Sequence, residues 1–299
     1  MEKEIVQLNS IAEYCKYCGF ELLHPLVAVV DMADAKRNYP ECKLNYRLYA
    51  LWLKQGVGCS IRYGRRSYDY QDGTVVSFAP GQVVQVEPNG DTSANAIGLL
   101  FHPDLIHGTS LGRKIERYSF FSYNDAEALH LSERERTQYL SIINSIREEL
   151  EHAIDKHSRE LLCDHIELIL DLCMRFYDRQ FITREKVNGD VLADFERELN
   201  DYFASGFASL RGFPSVAWMA DKLHFSVGYF GDLIKKETGQ TAQQYIQNKI
   251  IDLAKQELLG SDLPVSEIAF RLGFEYPQHF TRMFKKVTGM APSEYRLMS

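Results

Sequence analysis

Two kinds of hydrophobic spacing divide the chain. Up to about residue 125, short apolar and aromatic runs alternate with Gly and Pro turn signals, which is typical of antiparallel strands. Beyond that point, apolar residues recur every three or four positions, which predicts helices. The spacing therefore predicts an α+β chain of several domains, with a strand-rich first part and an all-helical last part.

Residues 1–125 are predicted to form an antiparallel β sandwich or small barrel. Turn signals such as Asp72-Gly73 and Pro80-Gly81 separate the candidate strands. These strands are 26–30, 45–53, 60–64, 67–70, 75–78, 83–86 and 96–101. Residues 1–20 give no clear pattern.

Residues 126–186 are predicted to form a helical hairpin. Ser132-x-x-Glu135 is a capping box, and apolar residues then recur at helical spacing over 140–154 and again over 162–177. Their apolar faces could pack on the sheet or against the same hairpin of a second subunit, and the pattern favours neither.

Residues 187–212 are predicted to hold a helix and an interdomain linker. Asp190 is a candidate N-cap, followed by an apolar stripe from Leu192 to Phe203. Residues 204–212 are mostly small or polar and contain two Gly residues, which predicts a hinge or linker.

The last part of the chain, residues 213–299, contains one pattern twice. Six identities recur at an offset of fifty positions, which indicates one supersecondary unit in two copies. The identical pairs are Phe230/Phe280, Lys235/Lys285, Lys236/Lys286, Thr238/Thr288, Gly239/Gly289 and Tyr245/Tyr295.

Each copy is predicted to be a helix-turn-helix motif. Helices over 216–223 and 227–237 form the first copy, and helices over 265–272 and 277–288 form the second. The second turn is longer by one residue, and residues 241–259 predict a continuous linker helix between the copies. The apolar positions predicted to face inward are Phe230, Leu233 and Ile234 in the first copy, and Phe280, Met283, Phe284 and Val287 in the second.

The outward positions of the second helix in each copy carry the candidate DNA contacts, because a helix fits the major groove, where Arg reads guanine and Gln reads adenine. In the first copy these are Ser226, Val227, Gly228, Tyr229, Gly231, Asp232, Lys235 and Lys236. In the second they are Tyr276, Pro277, Gln278, His279, Thr281, Arg282, Lys285 and Lys286. The second copy has no acidic residue from Tyr276 to Ser293, so we expect it to contribute more of the affinity.

Residues 214–296 resemble the AraC/XylS family of bacterial transcription regulators. The resemblance rests on segments such as Ile234-Lys235-Lys236-Glu237-Thr238-Gly239, Leu272-Gly273-Phe274 and Pro292-x-x-Tyr295-Arg296. It implies a protein that binds double-stranded promoter DNA, activates or represses transcription, and acts with RNA polymerase. Ile250 stands where the family often has an Arg in the linker helix, so no DNA contact is expected there.

The strand-rich part followed by a helical hairpin is similar to the cupin-like sensing and dimerising domain of many members. The resemblance implies a small-molecule effector and a homodimer. An effector pocket is predicted at Trp52, Tyr63, Arg65, Tyr68 and Tyr70, because alternate residues of a barrel face inward. His24, His102 and His107 lack the spacing of a cupin metal site, so no metal and no cofactor are predicted.

Composition and charge narrow the class of protein. Residues 1–196 carry 22 basic and 30 acidic residues, so we expect this acidic first part not to contact nucleic acid. Residues 197–299 carry 12 basic and 11 acidic residues. The six cysteines are irregularly spaced, which favours reduced thiols. No apolar run of about 18 residues and no signal-peptide pattern occur, so we expect a cytoplasmic protein without a membrane partner.

Two other functions fit parts of the pattern. One is a cupin-type enzyme with a helical appendage, which metal analysis of the purified protein would detect. The other is a protein–protein adaptor whose repeats have lost DNA binding, since the first copy has few donors for base edges. The motifs favour a regulator that is not an enzyme.

Overall fold

The structure, a computed structural model, describes residues 5–35, 42–54, 59–63, 66–67, 73–88, 95–124, 127–183 and 185–297. The chain forms two compact units, Met1–Thr183 and Arg184–Ser299. The first unit combines strands with helices and the second is helical, so the protein has the predicted α+β class and more than one domain. In the described part of the chain, no helix combines the length and apolar character that crossing a bilayer requires.

Unit 1 contains ten described strands. They are β1 (Ile5–Leu8), β2 (Val27–Asp31), β3 (Cys42–Tyr46), β4 (Tyr49–Lys54), β5 (Cys59–Tyr63), β6 (Arg66–Ser67), β7 (Thr74–Phe78), β8 (Val83–Pro88), β9 (Ala96–Phe101) and β10 (Leu129–His130). The predicted run over 45–53 is two strands, because the chain bends at Arg47 and Leu48 between β3 and β4.

The strands form two five-stranded sheets. Their orders are β1-β3-β8-β5-β6 and β10-β7-β4-β9-β2. All described strand pairs are antiparallel except β1 with β3, which run parallel. Neither sheet closes on itself, so the described strands form two open sheets.

The two sheets share one hydrophobic core. Leu44 and Val84 from the first sheet are buried in the same cluster as Trp52, Phe78 and Leu100 from the second. The opposite face of the second sheet is covered as well, because Tyr49 stacks on Phe101 and contacts the ring of Phe121. The central strands β4, β7 and β9 therefore have apolar residues on both faces, which explains their continuous hydrophobic runs.

Five helices belong to the described part of unit 1. They are α1 (Ile11–Cys18), α2 (Pro103–Ile106), α3 (Ser110–Lys114), α4 (Glu133–Glu151) and α5 (Ser158–Thr183), with short 3₁₀ turns at Met32–Asp34, Ile115–Arg117 and Ser119–Ser122. Helix α1 is not predicted by hydrophobic periodicity, but capping residues mark both of its ends. Ser10 accepts a hydrogen bond from the Glu13 N–H at 3.2 Å, and Gly19 ends the helix at φ 79°.

Helices α4 and α5 form the predicted hairpin. The capping box at Ser132 and Glu135 is present. One face of α5 packs on its own unit: the Gln180 side chain accepts from the His130 N–H at 2.8 Å and donates to the Ala128 carbonyl at 3.1 Å. Of the two placements that the sequence left open, packing within the unit accounts for the buried stripe from Leu162 to Phe181.

Unit 2 consists of eight helices in its described residues. They are α6 (Glu185–Ala204), α7 (Phe207–Arg211), α8 (Val216–Lys222), α9 (Val227–Thr238), α10 (Ala242–Gly260), α11 (Val265–Arg271), α12 (Pro277–Thr288) and α13 (Pro292–Arg296). Helix α6 begins before Asp190, so the predicted N-cap at that residue is wrong: Asp190 lies inside the helix.

The structure differs from the predicted linker at residues 204–212. This segment contains α7, and its surroundings are packed: the Tyr202 hydroxyl donates to the Gly212 carbonyl at 2.8 Å, and the Tyr202 ring lies 5.0 Å from that of Trp218. We call residues 185–213 the α6–α7 arm. The small residues of this arm permit close packing against the helix-turn-helix motifs, whereas by the sequence pattern alone they predict a flexible linker.

Candidate nucleic-acid interface

The first helix-turn-helix motif is formed by α8 and α9. Ser215 caps α8 by accepting from the Trp218 N–H at 3.1 Å, and Ser226 caps α9 by accepting from the Tyr229 N–H at 3.1 Å. Gly239 ends α9 in the left-handed conformation at φ 72°. A capping Ser therefore begins each helix of this motif, and a Gly in the left-handed conformation ends the second one.

The second motif, formed by α11 and α12, repeats the turn of the first. The Phe274 N–H donates to the Ala269 carbonyl at 2.9 Å, and the Phe225 N–H donates to the Ala220 carbonyl at 2.8 Å. The extra residue of the second motif lies after this bond. Ser226, the N-cap of α9, follows Phe225 directly, whereas Tyr276, the N-cap of α12, lies two residues after Phe274. The two turns thus share one hydrogen-bonded frame, and the insertion changes only the approach to the second helix.

One residue of the first turn has an uncommon backbone conformation. His224 has φ 66°, whereas the equivalent position of the second turn is Gly273 at φ 94°. A left-handed conformation is uncommon for a residue with a Cβ atom, although His adopts it more readily than most. Sequence reasoning identified the turn but not this strain, because the repeat has Gly in one copy only.

Helix α12 presents a basic face. Phe280 and Phe284 are fully buried, and the exposed side carries Gln278, Arg282, Lys285 and Lys286. Within the described residues, no carboxylate forms an ion pair with these three cations. The predicted inward position of Val287 is wrong, since this side chain is 47% exposed.

The remaining predicted contacts of this motif lie around the same face. Tyr276 and His279 are exposed and their rings lie 5.6 Å apart. The hydrogen bond between Tyr276 and the Glu275 carboxylate raises the pKa of the Tyr276 hydroxyl. Pro277 begins the helix, and the Thr281 hydroxyl donates to the Pro277 carbonyl at 3.0 Å.

Helix α9 has a poorer outward face. Phe230, Leu233 and Ile234 are buried as predicted, whereas Val227, Lys235 and Lys236 are exposed and Gly228, Gly231 and Asp232 are partly exposed. Tyr229 requires a correction: its ring is buried and stacks on Phe225 at 5.6 Å, so it is not accessible to DNA. Ser226 is also buried, and its hydroxyl caps the helix.

Helix α10 connects the two motifs and is anchored at both ends. Near its start, the Tyr245 hydroxyl hydrogen-bonds the Glu196 carboxylate, and burial together with this bond raises the pKa of Tyr245 to about 12. Beyond its end, the Arg296 guanidinium donates to the Leu258 and Leu263 carbonyls at 3.2 and 2.6 Å. Ile250 is fully buried. The linker helix is thus packed against both flanking segments.

The α6–α7 arm contacts both motifs. Phe195 of α6 lies 5.1 Å from the ring of Phe230 in the first motif, and Phe213 lies 5.6 Å from Phe274 in the second. A Cβ atom on Gly273 would lie 2.8 Å from the Gly212 carbonyl carbon and from the Phe213 nitrogen. The arm therefore contributes, with α10, to the relative placement of the two motifs.

The predicted effector pocket is described only in part. Trp52 is buried in the core of unit 1, where Gly98 lies against its indole and Tyr14 packs at 6.4 Å. Arg65, Tyr68 and Tyr70 lie outside the described residues, as does the side chain of Tyr63, whose backbone belongs to β5.

The described residues offer no assembled metal site. No three His, Cys, Asp or Glu side chains come together in a way that could hold an ion in this part of the chain. Cys15, Cys163 and Cys173 are free cysteines and are buried, and Cys18 is buried as well. The His102 ring caps α2 by accepting from the Asp104 N–H at 3.1 Å.

Comparison with known proteins supports this interpretation of unit 2. Residues 219–298 match the family model described as a helix-turn-helix domain. The chain is 42% identical over 85 residues to the uncharacterized transcriptional regulatory protein YesN of Bacillus subtilis, covering 27% of this chain and 23% of that protein. The match to YesN therefore spans less than a quarter of that relative's length.

Two further relatives are matched over more of their length. The transposon Tn10 TetD protein of Escherichia coli is 33% identical over 144 residues, which cover 48% of this chain and 91% of TetD. The probable transcriptional regulator LumQ of Photobacterium leiognathi is 25% identical over 242 residues, covering 78% of this chain and 86% of LumQ. With two helix-turn-helix motifs of one geometry joined by a linker helix, and with these relatives, the chain belongs to the AraC/XylS family of transcription regulators.

Proposed function

We propose that the protein is a sequence-specific DNA-binding transcription regulator. The observation that carries the proposal is the outward face of α12, where Arg282, Lys285 and Lys286 have no ion-pair partner among the described residues. A polyanion such as duplex DNA satisfies three adjacent cations, and Arg with Gln278 can read base edges in the major groove.

The length of α10 supports the binding of both motifs to one side of a duplex. The helix has 19 residues. It spans about 28 Å, and successive major-groove faces of DNA are about 34 Å apart. We infer that α9 and α12 enter successive major grooves, with α10 holding their separation.

The two recognition helices contribute unequally. A Cβ atom on Gly231 would meet nothing within 4 Å, so the outward surface of α9 is open and lacks a side chain at this position. The Asp232 carboxylate can accept a hydrogen bond from cytosine, but its negative charge repels the phosphate backbone. We infer that α12 supplies base recognition through Arg282 and phosphate affinity through Lys285, whereas α9 discriminates weakly.

Unit 1 is proposed to be a cupin-like domain that senses an effector and mediates dimerisation. The effector pocket remains the one proposed from the sequence, at Trp52, Tyr63, Arg65, Tyr68 and Tyr70. Leu161, Leu168 and Ile182 of α5 are 44%, 49% and 61% exposed, and a second copy of the chain can cover them. An effector then regulates transcription if it favours the arrangement in which both motifs engage DNA, with RNA polymerase as the partner at the promoter.

Selection of bound fragments from the source genome tests the proposed function. We expect the full chain to enrich a small set of sites and to bind them more tightly than random DNA in titrations at two salt concentrations. Equal affinity for enriched and random fragments, or no binding at either salt concentration, would refute the proposal. Repeating the selection with candidate small molecules identifies the effector.

A further inference from the structure

Unit 2 contains a groove that the recognition helices alone do not account for. It has a volume of about 1280 Å³ and is lined by residues of α7, the C-terminal end of α9, α10 and α12. We call it the interhelix groove. Gly239, which ends α9, and Arg282 of α12 both line it, so the groove lies between the two recognition helices.

The charge of the interhelix groove fits a polyanion. Among the described residues that line it, Arg211, Arg282 and Lys286 are cationic, and Glu275 is the one carboxylate. Arg282 and Lys286 belong to the face of α12 already assigned to DNA. Arg211 belongs to α7, outside both helix-turn-helix motifs.

Helix α7 is held in a fixed position at the wall of the groove. The Gly212 N–H donates to the Ala208 carbonyl at 2.9 Å. A Cβ atom added to Gly273 would lie 2.8 Å from the Gly212 carbonyl carbon, so the backbone of Gly212 lies directly against Gly273. The Arg211 guanidinium lies 5.4 Å above the Phe207 ring. The Arg211 side chain is exposed, and no carboxylate of the described chain pairs with it.

We propose that α7 is a third DNA contact, in which Arg211 binds the phosphate backbone between the two major grooves that α9 and α12 enter. This inference rests on the proposed function and extends the DNA-binding surface beyond the two motifs. A contact of this kind adds affinity without sequence information, because phosphates are the same in every sequence. It also makes the affinity depend on the position of the α6–α7 arm.

Titration of Arg211→Ala against an enriched fragment tests the proposal, with Arg211→Lys and Arg197→Ala as controls. Loss of one phosphate contact lowers the slope of log affinity against log salt by about 1. The affinity loss of Arg211→Ala is then about threefold larger at 50 mM salt than at 200 mM. Arg211→Lys keeps the charge and retains the wild-type slope.

Arg197→Ala removes the same charge from an exposed residue of α6 that does not line the groove. We expect this variant to keep the wild-type slope. An Arg211→Ala slope equal to that of wild type would overturn the proposal, whether or not the affinity falls, because loosening of α7 alone lowers affinity without removing a phosphate contact. Wild-type protein serves as the reference for the proposed function: if it binds the fragment and Arg211→Ala matches it in affinity and slope, only the role of α7 fails.

Discussion

Substituting Gly273 by Ala tests how tightly the α6–α7 arm is packed against the second motif. Gly273 has φ 94°, and its added Cβ atom would lie 2.8 Å from the Gly212 carbonyl carbon and the Phe213 nitrogen and 2.9 Å from the Ala208 oxygen. All three are backbone atoms, so the arm itself must move. No side-chain rotation relieves the overlap.

The expected cost has two parts. The left-handed backbone costs an Ala residue about 1–2 kcal/mol. Displacement of the arm weakens the contact between Phe213 and Phe274, and an aromatic pair contributes about 0.5–1.5 kcal/mol. Gly289→Ala isolates the first part, because Gly289 has φ 84° with nothing within 4 Å of its Cβ position.

Native-state hydrogen exchange of α7, α11 and α12 in the full chain measures the difference between the two variants. A difference of about 1.4 kcal/mol is a tenfold difference in exchange rate. We expect amides of α7 to exchange faster in Gly273→Ala than in Gly289→Ala. Equal protection of α7 in both variants would refute the reasoning, since the arm would then not depend on close approach at Gly273.

Three further predictions concern other parts of the fold. His224→Gly should stabilise unit 2 by about 1 kcal/mol in urea unfolding by relieving the φ of 66°, and a loss of stability would contradict this. Phe195→Ala should lower the free energy of unfolding by about 3–5 kcal/mol, because this ring is fully buried between α9 and α10. A loss no larger than that caused by a substitution at an exposed position would contradict the packing. Arg179→Met should destabilise unit 1 at pH 7 by about 1–2 kcal/mol, because Arg179 donates to Glu135 at 2.7 and 3.0 Å. Burial raises the pKa of Glu135, but the hydrogen bonds from Arg179 and from the Ser132 cap outweigh burial and hold this pKa below its usual value. The stabilisation by Arg179 is therefore lost as the pH falls through the pKa of Glu135, and the difference in stability between Arg179→Met and an Arg175→Met control should shrink below about pH 4. A difference independent of pH would contradict the assignment.

The sequence predicted the elements whose signals are local. A capping Ser and a terminal Gly delimit α9, and the repeat at fifty positions locates α12 from Pro277 to the Gly at 289. Residues whose role depends on distant partners were less predictable. Tyr229 has the spacing of an outward residue, but the ring of Phe225 covers it.

The arm is the clearest example of this limit. Small residues over 204–212 predict a hinge when only local propensity is considered. In the structure they allow backbone to approach Gly273 closely, a contact between positions about sixty residues apart. No local sequence pattern distinguishes a Gly in a flexible hinge from a Gly that allows another segment to pack closely. The packing of the arm and the position of Arg211 could therefore be seen only in the structure.

The central claim is that α12 reads DNA through Arg282, and comparison of Arg282→Ala with Lys285→Ala tests it most directly. Both variants are titrated against an enriched fragment, its single-base-pair variants and random DNA. Arg282→Ala should lose about 1–3 kcal/mol on the enriched fragment and lose its preference at one base pair, whereas Lys285→Ala should weaken binding to all sequences alike and lower the salt slope by about 1. Unchanged affinities of Arg282→Ala for enriched and random DNA would contradict the claim.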